Sequence, residues 1–383
     1  TKRVVAISVG HAVHDTYTGF LTPLLPLFIA NFALSKTEAG LLATFLQGPS
    51  LLQPFIGYLA DRISLRYIVF LAPAVTAVVM SLLGIAPSYV VLALLLLVAG
   101  ISSAGMHAVA PVIAGRLSGP RLGRGMGFWM VGGELGRTLG PLVIVSAVKL
   151  LSPRGTPWLM IAGLLMSIWL YLRLRDVPGR PARVDGELPW RRALRVMAPL
   201  LLPLSAVLAA RLFLISALTT YLPIFLIEEG ADLWFAGASL SLLEVAAMLG
   251  ALLGGSLSDR LGRRQMLFLS TLVTPLLTFV FLTFTGWPRF PLLLLLGFAM
   301  LSAAPPVMAL VQESFPENRA LANGIYMAVN FALHAVVIVI VGAMGDLLGL
   351  RWAFAASAVI SLLGLPLILL LPGRRSGHRG GAV

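Results

Sequence analysis

The stretch GYLADRISLR at residues 57–66 returns as GSLSDRLGRR at residues 255–264, and the offset between the copies is close to half of the 383-residue chain. Each copy follows a long apolar segment and sets an aspartate beside two or three arginines. Such internal repetition indicates that the chain consists of two related halves. The same charged turn therefore lies at the same point in the helix order of each half.

The composition indicates that both halves lie in a membrane. The chain is 58% hydrophobic and 11% charged, and its mean hydropathy is +0.95. Soluble domains average roughly 45–50% apolar and about 25% charged residues, so a soluble fold could not bury this much apolar surface. We therefore predict an all-α membrane protein. The absence of cysteine excludes disulfides, thiolate metal sites and cysteine nucleophiles.

Hydropathy divides the chain into about twelve apolar spans, which are joined mostly by short turns. The exception is the stretch 175–195, which is rich in proline and arginine and links the two halves. We predict a pseudo-symmetric pair of six-helix bundles. The predicted boundaries are residues 1–174 for the N-terminal bundle, 175–195 for a cytoplasmic linker, and 196–383 for the C-terminal bundle with its basic tail.

The formal net charge of +13 is spread over short loops and tails rather than gathered in a separate basic domain. If the N-terminus is cytoplasmic, most of the 28 lysines and arginines lie on the cytoplasmic side, which is the usual bias of membrane proteins. We therefore expect a multi-pass protein of the cell inner membrane with both termini in the cytoplasm. Anionic lipids at the cytoplasmic face are expected partners, and nucleic acid is not.

The repeated turns contain the groups needed for a conformational latch. A carboxylate at a helix end beside arginines can close a short loop through charge-assisted hydrogen bonds and release it in another conformation. The alternative is an ordinary positively charged loop whose aspartate only balances arginine. The candidate latch residues are Asp61, Arg62, Arg66, Asp259, Arg260, Arg263 and Arg264.

The second turn, residues 255–264, resembles the signature loop of the major facilitator superfamily, which joins helices 2–3 and 8–9 in that family. The first turn departs from the family pattern at Ser64 and Tyr67, where the family carries a glycine and a basic residue. The resemblance covers the whole chain. It implies twelve helices in two six-helix bundles around one central cavity, and alternating access by rocking of the halves.

A second motif, GGELGRTLGP at residues 132–141, lies in the predicted fifth helix. Its glycines recur every four residues, so Gly132, Gly136 and Gly140 share one face, just before Pro141. Small residues on one face allow another helix to approach closely. The motif resembles the antiporter motif of the drug-efflux branch of the superfamily. The alternative is an ordinary helix-packing seam.

Two glutamates are expected near mid-membrane, on faces roughly opposite seams of small residues. Glu134 stands two residues from Gly132 and from Gly136, and Glu244 has the same relation to a comparable seam in the predicted eighth helix. Exposure of a glutamate to lipid is unfavourable, so both are predicted to face a polar cavity and to couple protons. The alternative for Glu134 is a stabilising but inert i,i+3 pair with Arg137.

The predicted first helix, residues 4–31, carries the densest group of polar side chains. His11, His14 and Asp15 share one stripe of this otherwise apolar helix. Imidazoles titrate near neutral pH, and ionisable residues inside a membrane are by default functional, so we predict a proton relay. The alternative is a His–Asp hydrogen bond that fixes this helix against a neighbour.

The stretch GHAVHDTYTGFLTPLLPL at residues 10–27 resembles the start of the fosmidomycin-resistance group of drug/proton antiporters. The fifth-helix motif resembles that group too, as does Arg211 followed by TYLP at residues 220–223. Two departures are that Glu134 replaces an asparagine-like residue and that MHAVAP at residues 106–111 lacks the acidic member of the group's pattern. The resemblance implies proton-coupled drug transport. The two departures leave open which substrate is transported.

Candidate substrate-binding residues are polar groups expected to line the cavity. Arg211 either holds an anionic substrate or counterbalances Glu244, and His107 either lines the cavity or is a satisfied core histidine. A polar stripe in the predicted eleventh helix either lines the cavity or makes interhelical hydrogen bonds. The full set is Arg137, Arg211, His107, Tyr326, Asn330 and His334.

These features predict a secondary active transporter that exports small organic or drug-like compounds by proton-coupled antiport. The alternative is a proton-coupled symporter that imports a sugar, an organic anion or another metabolite. The sequence contains neither a catalytic constellation nor a GxxxxGK[ST] phosphate loop, so we predict neither an enzyme nor an ATP-driven pump. We expect a monomer without cofactor or metal, whose partners are a small-molecule substrate and protons.

Overall fold

Residues described by the computed structural model are 2–60, 63–118, 122–177, 190–315 and 319–372. Asp61 and Arg62 of the first repeated turn, most of the predicted linker, and the basic tail lie outside the described residues. Within the described residues every regular element is helical. The predicted all-α membrane class is confirmed.

The described residues form twelve helical segments, six in each half. The first six are helix 1 (Lys2–Thr18 and Leu21–Phe32), helix 2 (Lys36–Gln47, Gly48–Leu52 and Gln53–Ala60), helix 3 (Arg66–Ser81 and Leu82–Ile85), helix 4 (Tyr89–Ser118), helix 5 (Leu122–Leu151) and helix 6 (Pro153–Leu159 and Met160–Leu174). The last six are helix 7 (Trp190–Ser216, Ala217–Tyr221 and Leu222–Glu228), helix 8 (Leu233–Leu261), helix 9 (Arg263–Thr283), helix 10 (Arg289–Leu301 and Ala304–Ser314), helix 11 (Arg319–Leu348) and helix 12 (Leu350–Ile368).

Nine of these segments, judged on the described residues alone, are long and apolar enough to cross a membrane. They are helices 3, 4 and 6 to 12. Helices 1, 2 and 5 carry more polar residues: His11, His14 and Asp15 in helix 1, two glutamines in helix 2, and Glu134 and Arg137 in helix 5. These polar residues lower the mean hydropathy of helices 1, 2 and 5. The order of six helices in each half is the one predicted.

Proline explains where two of the segments are irregular. Helix 7 contains a π-helical turn, Ala217–Tyr221, shortly before Pro223. Helix 10 is interrupted after Leu301, immediately before Pro305 and Pro306. A proline ring removes a backbone donor and is best tolerated in the first turn of a helix, so a new helical stretch begins there.

Among the described residues, each half contains a close helix pair built on glycines spaced four residues apart. In the N-terminal half, Gly132, Gly136 and Gly140 of helix 5 lie against the backbone of helix 1. In the C-terminal half, Gly250 and Gly254 of helix 8 lie in the same way against the backbone of helix 10. A side chain at any of these positions would collide with the facing backbone. The four-residue spacing therefore permits both close approaches.

The two halves share a hydrophobic core at one end of the molecule and have separate cores toward the other. The shared core contains buried residues of both halves, such as Leu24, Leu25 and Phe225. Two further cores each belong to one half: one contains Trp129 and the other Tyr326. The molecule is therefore joined at the end opposite the repeated charged turns, which we call the joined end.

Polar contacts reinforce the joined end. Asp346 at the end of helix 11 accepts hydrogen bonds from the backbone N–H groups of Lys36 (2.7 Å) and Thr37 (2.9 Å). A carboxylate of the C-terminal half thus caps the N-terminus of helix 2 in the other half, where negative charge is favoured. The Lys36 side chain also forms an ion pair with Glu228 of helix 7, with an N–O distance of 2.9 Å.

Candidate functional site

Three ionisable side chains from two helices meet inside the N-terminal half. Asp15 Oδ2 lies 3.3 Å from His11 Nε2, and Asp15 Oδ1 lies 3.7 Å from His107 Nε2. The two Nε2 atoms are 3.2 Å apart. The side chains of His11 and Asp15 are each 5% exposed, whereas that of His107 is 32% exposed, so this His–Asp cluster is accessible from the His107 side.

Helical spacing and one glycine explain why these groups meet. His11 and Asp15 are one turn apart on helix 1 and therefore point to the same side. Gly133 of helix 5 faces them, and a Cβ atom at this position would collide with the His11 ring. The missing side chain leaves room for two polar groups between helices 1 and 5. His107 of helix 4 completes the cluster.

Backbone carbonyls fix the orientation of both imidazoles. His11 Nδ1 lies 2.9 Å from the Trp129 carbonyl oxygen, and His107 Nδ1 lies 2.9 Å from the Ser103 carbonyl oxygen. Because a carbonyl oxygen can only accept, each Nδ1 carries hydrogen and donates it. Both Nε2 atoms therefore turn toward Asp15 and toward each other. The Trp129 indole stacks on the His11 ring, with ring centroids 3.6 Å apart.

A second group of charges lies one turn further along helix 5. Arg137 forms a hydrogen-bonded ion pair with Glu134, three residues before it. The guanidinium also interacts electrostatically with Glu244 of helix 8 and with Asp15. The i,i+3 pair that we considered as the alternative for Glu134 is therefore present. It also links the His–Asp cluster to a carboxylate of the other half.

Glu134 also borders a cavity between the two halves. This interhelical cavity has a volume of about 320 Å³, and its other lining residues, from helices 5 and 8, are apolar or glycine. The Glu134 side chain is 16% exposed, and its Oε2 atom has no hydrogen-bond partner among the described residues. One oxygen of the carboxylate thus pairs with Arg137, while the other is buried without a hydrogen-bond partner among the described residues.

Arg211 of helix 7 is buried among neutral groups. It is 7% exposed and donates to Thr271 Oγ1 (2.6 Å), Ser270 Oγ (3.1 Å) and a carbonyl of helix 10 (2.9 Å). Within the described part of the chain no carboxylate forms a salt bridge with it, and Glu244 interacts with Arg137 instead. The structure thus shows no ion pair between Arg211 and Glu244 among the described residues, and the alternative that Arg211 counterbalances Glu244 stays a prediction. Its role toward an anionic substrate stays a prediction.

The remaining candidates lie outside the His–Asp cluster. His14 is fully buried and, among the described residues, neither of its ring nitrogens has a hydrogen-bond partner. Its ring centroid lies 6.0 Å from that of His107. On helix 11, Tyr326 is buried, and Asn330 and His334 are half-buried. Their predicted roles in proton coupling and substrate binding stay predictions.

The two repeated turns make different contacts. In the C-terminal copy, Arg263 forms ion pairs with Asp259 (2.6 Å) and with Glu313 of helix 10 (2.9 Å). In the N-terminal copy, Arg66 donates to the carbonyl oxygens of Arg175 (3.0 Å) and Val177 (2.9 Å), just past helix 6. Each set of contacts stays within its own half. The turns are therefore positioned to brace each half separately.

The other latch candidates contribute less to these contacts. Arg264 Nη1 lies 3.5 Å from the Leu371 carbonyl oxygen, at the limit of a hydrogen bond, and Arg260 is exposed. The contacts of Asp61 and Arg62 lie outside the described residues. The contacts of the C-terminal turn thus centre on Arg263, and its predicted role as a latch stays a prediction.

A carboxylate just outside the membrane spans braces the joined end. Glu229, which follows helix 7, forms ion pairs with Arg289 at the start of helix 10 and with Arg351 of helix 12 (2.7 Å). Burial raises the pKa of Glu229, but hydrogen bonds from both arginines outweigh burial and hold the pKa below its ordinary value. Glu229 therefore stays ionised near neutral pH and ties three helix ends together.

Sequence reasoning missed several of these partners. Trp129 precedes Gly133 by one helical turn, so the spacing of the glycine motif would have placed it on the same face. Glu313 and Asp346 carry no comparable signal, because their partners lie 50 and 310 positions away along the chain. Only the folded arrangement brings such pairs together.

Comparison with known proteins agrees with this architecture. The chain matches the Major Facilitator Superfamily over residues 7–329 and 235–382. It is 25% identical to the fosmidomycin resistance protein of Escherichia coli (strain K12), in an alignment that covers 97% of this chain and 92% of that protein.

Two solved structures have the same fold. A bacterial homologue of the human lysosomal transporter Spinster, in an inward-facing and occupied conformation, gives a TM-score of 0.81 at 16% identity and covers 96% of each chain. A D-xylose–proton symporter gives a TM-score of 0.74 at 17% identity and covers 97% of this chain and 98% of the symporter. The chain therefore belongs to the Major Facilitator Superfamily and is a multi-pass membrane transporter rather than an enzyme.

Proposed function

We propose that this protein exports small organic or drug-like compounds in exchange for protons, by alternating access. The observation that carries the proposal is the set of ionisable groups that runs from His107 and Asp15 through Arg137 to Glu134 at the interhelical cavity. Ionisable residues inside a membrane are rare, and they commonly mark proton or substrate pathways. The similarity to a fosmidomycin resistance protein supports a drug-like cargo.

The position of Arg137 suggests how protons and conformation are coupled. Its guanidinium interacts with Glu134 of its own helix, with Asp15 of helix 1 and with Glu244 of the other half. A proton on Glu134 or Asp15 removes one competing negative charge and strengthens the relative attraction of Arg137 to Glu244. Protonation in the N-terminal half would thus alter the attraction between the halves. A cargo bound beside Glu134 competes with that proton for the same carboxylate.

Contacts at the two ends suggest what must change during the transport cycle. Opening the joined end requires the loss of the Lys36–Glu228 ion pair and of the Asp346 cap on helix 2. Closing the opposite end brings together the repeated turns, so the contacts of Arg263 would then rearrange. The cycle therefore exchanges one set of charged contacts for another, as expected of rocking halves.

The placement in the membrane follows from the charge distribution. We assign the end with the repeated turns, the linker 175–195 and both termini to the cytoplasm, because arginine and lysine are concentrated there. The protein is then a monomer of the cell inner membrane with bundles at 1–174 and 196–383, and anionic lipids contact its cytoplasmic arginines. The separate hydrophobic cores of the two halves support these boundaries.

Proteoliposomes with imposed pH gradients of both signs test the proposal. Purified protein is reconstituted with a trapped pH indicator and offered drug-like amphiphiles, phosphonates, sugars and organic anions. Antiport predicts that a compound gradient drives protons in the opposite direction, whereas the alternative importer would move both in the same direction. Compound fluxes that do not change when a pH gradient of either sign is imposed would rule out both proton antiport and proton symport.

A further inference from the structure

We propose that His11, Asp15 and His107 form a binding site for one divalent first-row transition metal ion, such as Zn²⁺. One donor atom from each residue lies within 4.8 Å of the other two. The sequence predicted no metal, because the donors come from helices whose separation along the chain hides the grouping. The inference concerns a site in the resting protein and is independent of the cargo and the direction of transport.

The distances between donor atoms fit a small cation. Zn²⁺ binds imidazole nitrogen at about 2.0–2.1 Å and carboxylate oxygen at about 2.0–2.2 Å, so tetrahedral donors lie roughly 3.3 Å apart. His11 Nε2 is 3.2 Å from His107 Nε2 and 3.3 Å from Asp15 Oδ2. The third edge joins His107 Nε2 to the Asp15 carboxylate, whose Oδ1 lies 3.7 Å from it, and one donor atom from each residue lies within 4.8 Å of the other two.

The surroundings of the two imidazoles are those of metal ligands. Histidines that bind metal through one nitrogen usually donate the other N–H to a carbonyl or carboxylate, which fixes the ring. His11 does so to the Trp129 carbonyl and His107 to the Ser103 carbonyl. The two Nε2 atoms then face each other at 3.2 Å, a separation that a shared proton or a metal ion bound to both would stabilise.

The local charge also fits a divalent ion. Three carboxylates interact with one guanidinium here: Asp15, Glu134 and Glu244 surround Arg137. When all four are ionised, the three carboxylates and one guanidinium carry a formal net charge of −2. A bound divalent cation would neutralise this charge inside a medium where isolated charge is unfavourable.

The donor types select the class of metal. Two imidazoles and one carboxylate favour zinc, iron, cobalt or nickel over Mg²⁺ and Ca²⁺, which prefer oxygen ligands. Three protein donors leave at least one coordination position free. That position faces the more exposed His107 side of the cluster, where water or a substrate group could bind.

Metal titration of the purified full-length protein tests the site. The protein carries an affinity tag without histidine, is treated with a chelator in detergent, and is titrated with ZnCl₂ by calorimetry and with CoCl₂ by visible absorption. We expect one Zn²⁺ per chain and Co²⁺ absorption bands of a low-coordinate site. The His107→Ala variant should bind at least about 10-fold more weakly and lose those bands. The matched control His334→Ala, which removes a half-buried histidine of the other half, should bind like the wild type.

A second variant keeps the test decisive if His107→Ala does not remain monodisperse. His107→Gln retains size and polarity but supplies no imidazole, and it should show the same loss of metal. Equal Zn²⁺ affinity in wild type and in a folded His107 variant would overturn the site, as would the absence of stoichiometric binding by the wild type. Because no gradient or cargo is used, failure of the proposed transport function would leave this result unchanged.

Discussion

The His–Asp cluster of the N-terminal half consists of one carboxylate and two imidazoles, whereas the groups around Arg211 in the C-terminal half are hydroxyls and a carbonyl. Imidazole and carboxylate can change charge, but a guanidinium stays protonated and hydroxyls stay neutral. Both halves also contain a glycine-based close helix pair, formed by helices 5 and 1 in one half and by helices 8 and 10 in the other, and both carry the charged turn. The His–Asp cluster can therefore change its charge on protonation, whereas the group around Arg211 holds a fixed charge.

The largest effect is expected when the N-terminal half loses its ionisable carboxylate. Asp15→Asn keeps the size of the side chain but cannot release a proton, so gradient-driven transport should fall by at least about 100-fold, the usual contribution of a positioned proton-transfer group. Transport into proteoliposomes measures the change. Folding and membrane insertion should persist.

Asp176→Asn is the matched control for this variant. Asp176 lies past helix 6 with its side chain 74% exposed, so the same chemical change there should leave transport as in the wild type. Normal gradient-driven transport by Asp15→Asn would show that the asymmetry between the halves does not serve proton coupling.

A second prediction concerns what the halves share. Gly136→Val and Gly254→Val each place a branched side chain against a facing helix backbone, so each should lower stability toward the upper end of about 1–3 kcal/mol. Thermal unfolding in detergent measures the loss. The controls are Gly127→Val in helix 5, where nothing lies within 4 Å of an added Cβ, and Gly255→Val in helix 8, where the nearest atom is 3.8 Å away.

The two seams should respond alike if they have the same packing role. A large loss in helix 5 with none in helix 8 would mean that only the contact between helices 5 and 1 depends on glycine for its close approach. Equal losses at the control positions would mean that valine, rather than the close contact, disturbs these helices.

The helical fold could be predicted from the sequence because it depends on local and periodic features. Apolar length, the repeat at residues 57–66 and 255–264, and the four-residue glycine spacing each predict structure without knowledge of distant contacts. The stripe of His11 and Asp15 on helix 1 was predicted for the same reason, since both lie on one helix face.

The composition of the site was less predictable because it depends on which helices become neighbours. His107 joins Asp15 across 92 positions of sequence, and Arg137, not Arg211, interacts with Glu244. Helical periodicity states which face of a helix is polar but not which partner that face meets. The grouping of two imidazoles and one carboxylate therefore required the fold.

A third prediction tests the fixed charge of the C-terminal half. Arg211→Lys keeps the positive charge but cannot donate simultaneously to Thr271, Ser270 and the helix 10 carbonyl in the fork geometry of a guanidinium. Stability should fall by about 1–2 kcal/mol, as expected for lost hydrogen bonds to a charged group. Transport should keep its dependence on the pH gradient. A loss of that dependence would place a proton-coupling role in this half as well.

The smallest effect is expected at the C-terminal charged turn, where one arginine has two carboxylate partners. Asp259→Asn leaves Arg263 paired with Glu313, and Glu313→Gln leaves it paired with Asp259, so each single change removes only part of the latch. Partly exposed ion pairs are worth at most about 0.5–1 kcal/mol, so conformational cycling should slow by roughly 2- to 5-fold, and the double variant should be slower than either.

Cycling is measured as the rate of compound exchange at saturating concentration, with compound affinity unchanged. Because Arg66 of the N-terminal turn pairs with carbonyl groups instead, neither variant should alter its contacts. A marked change in affinity with a normal exchange rate would mean that Arg263 and its partners shape the binding site rather than the movement of the halves.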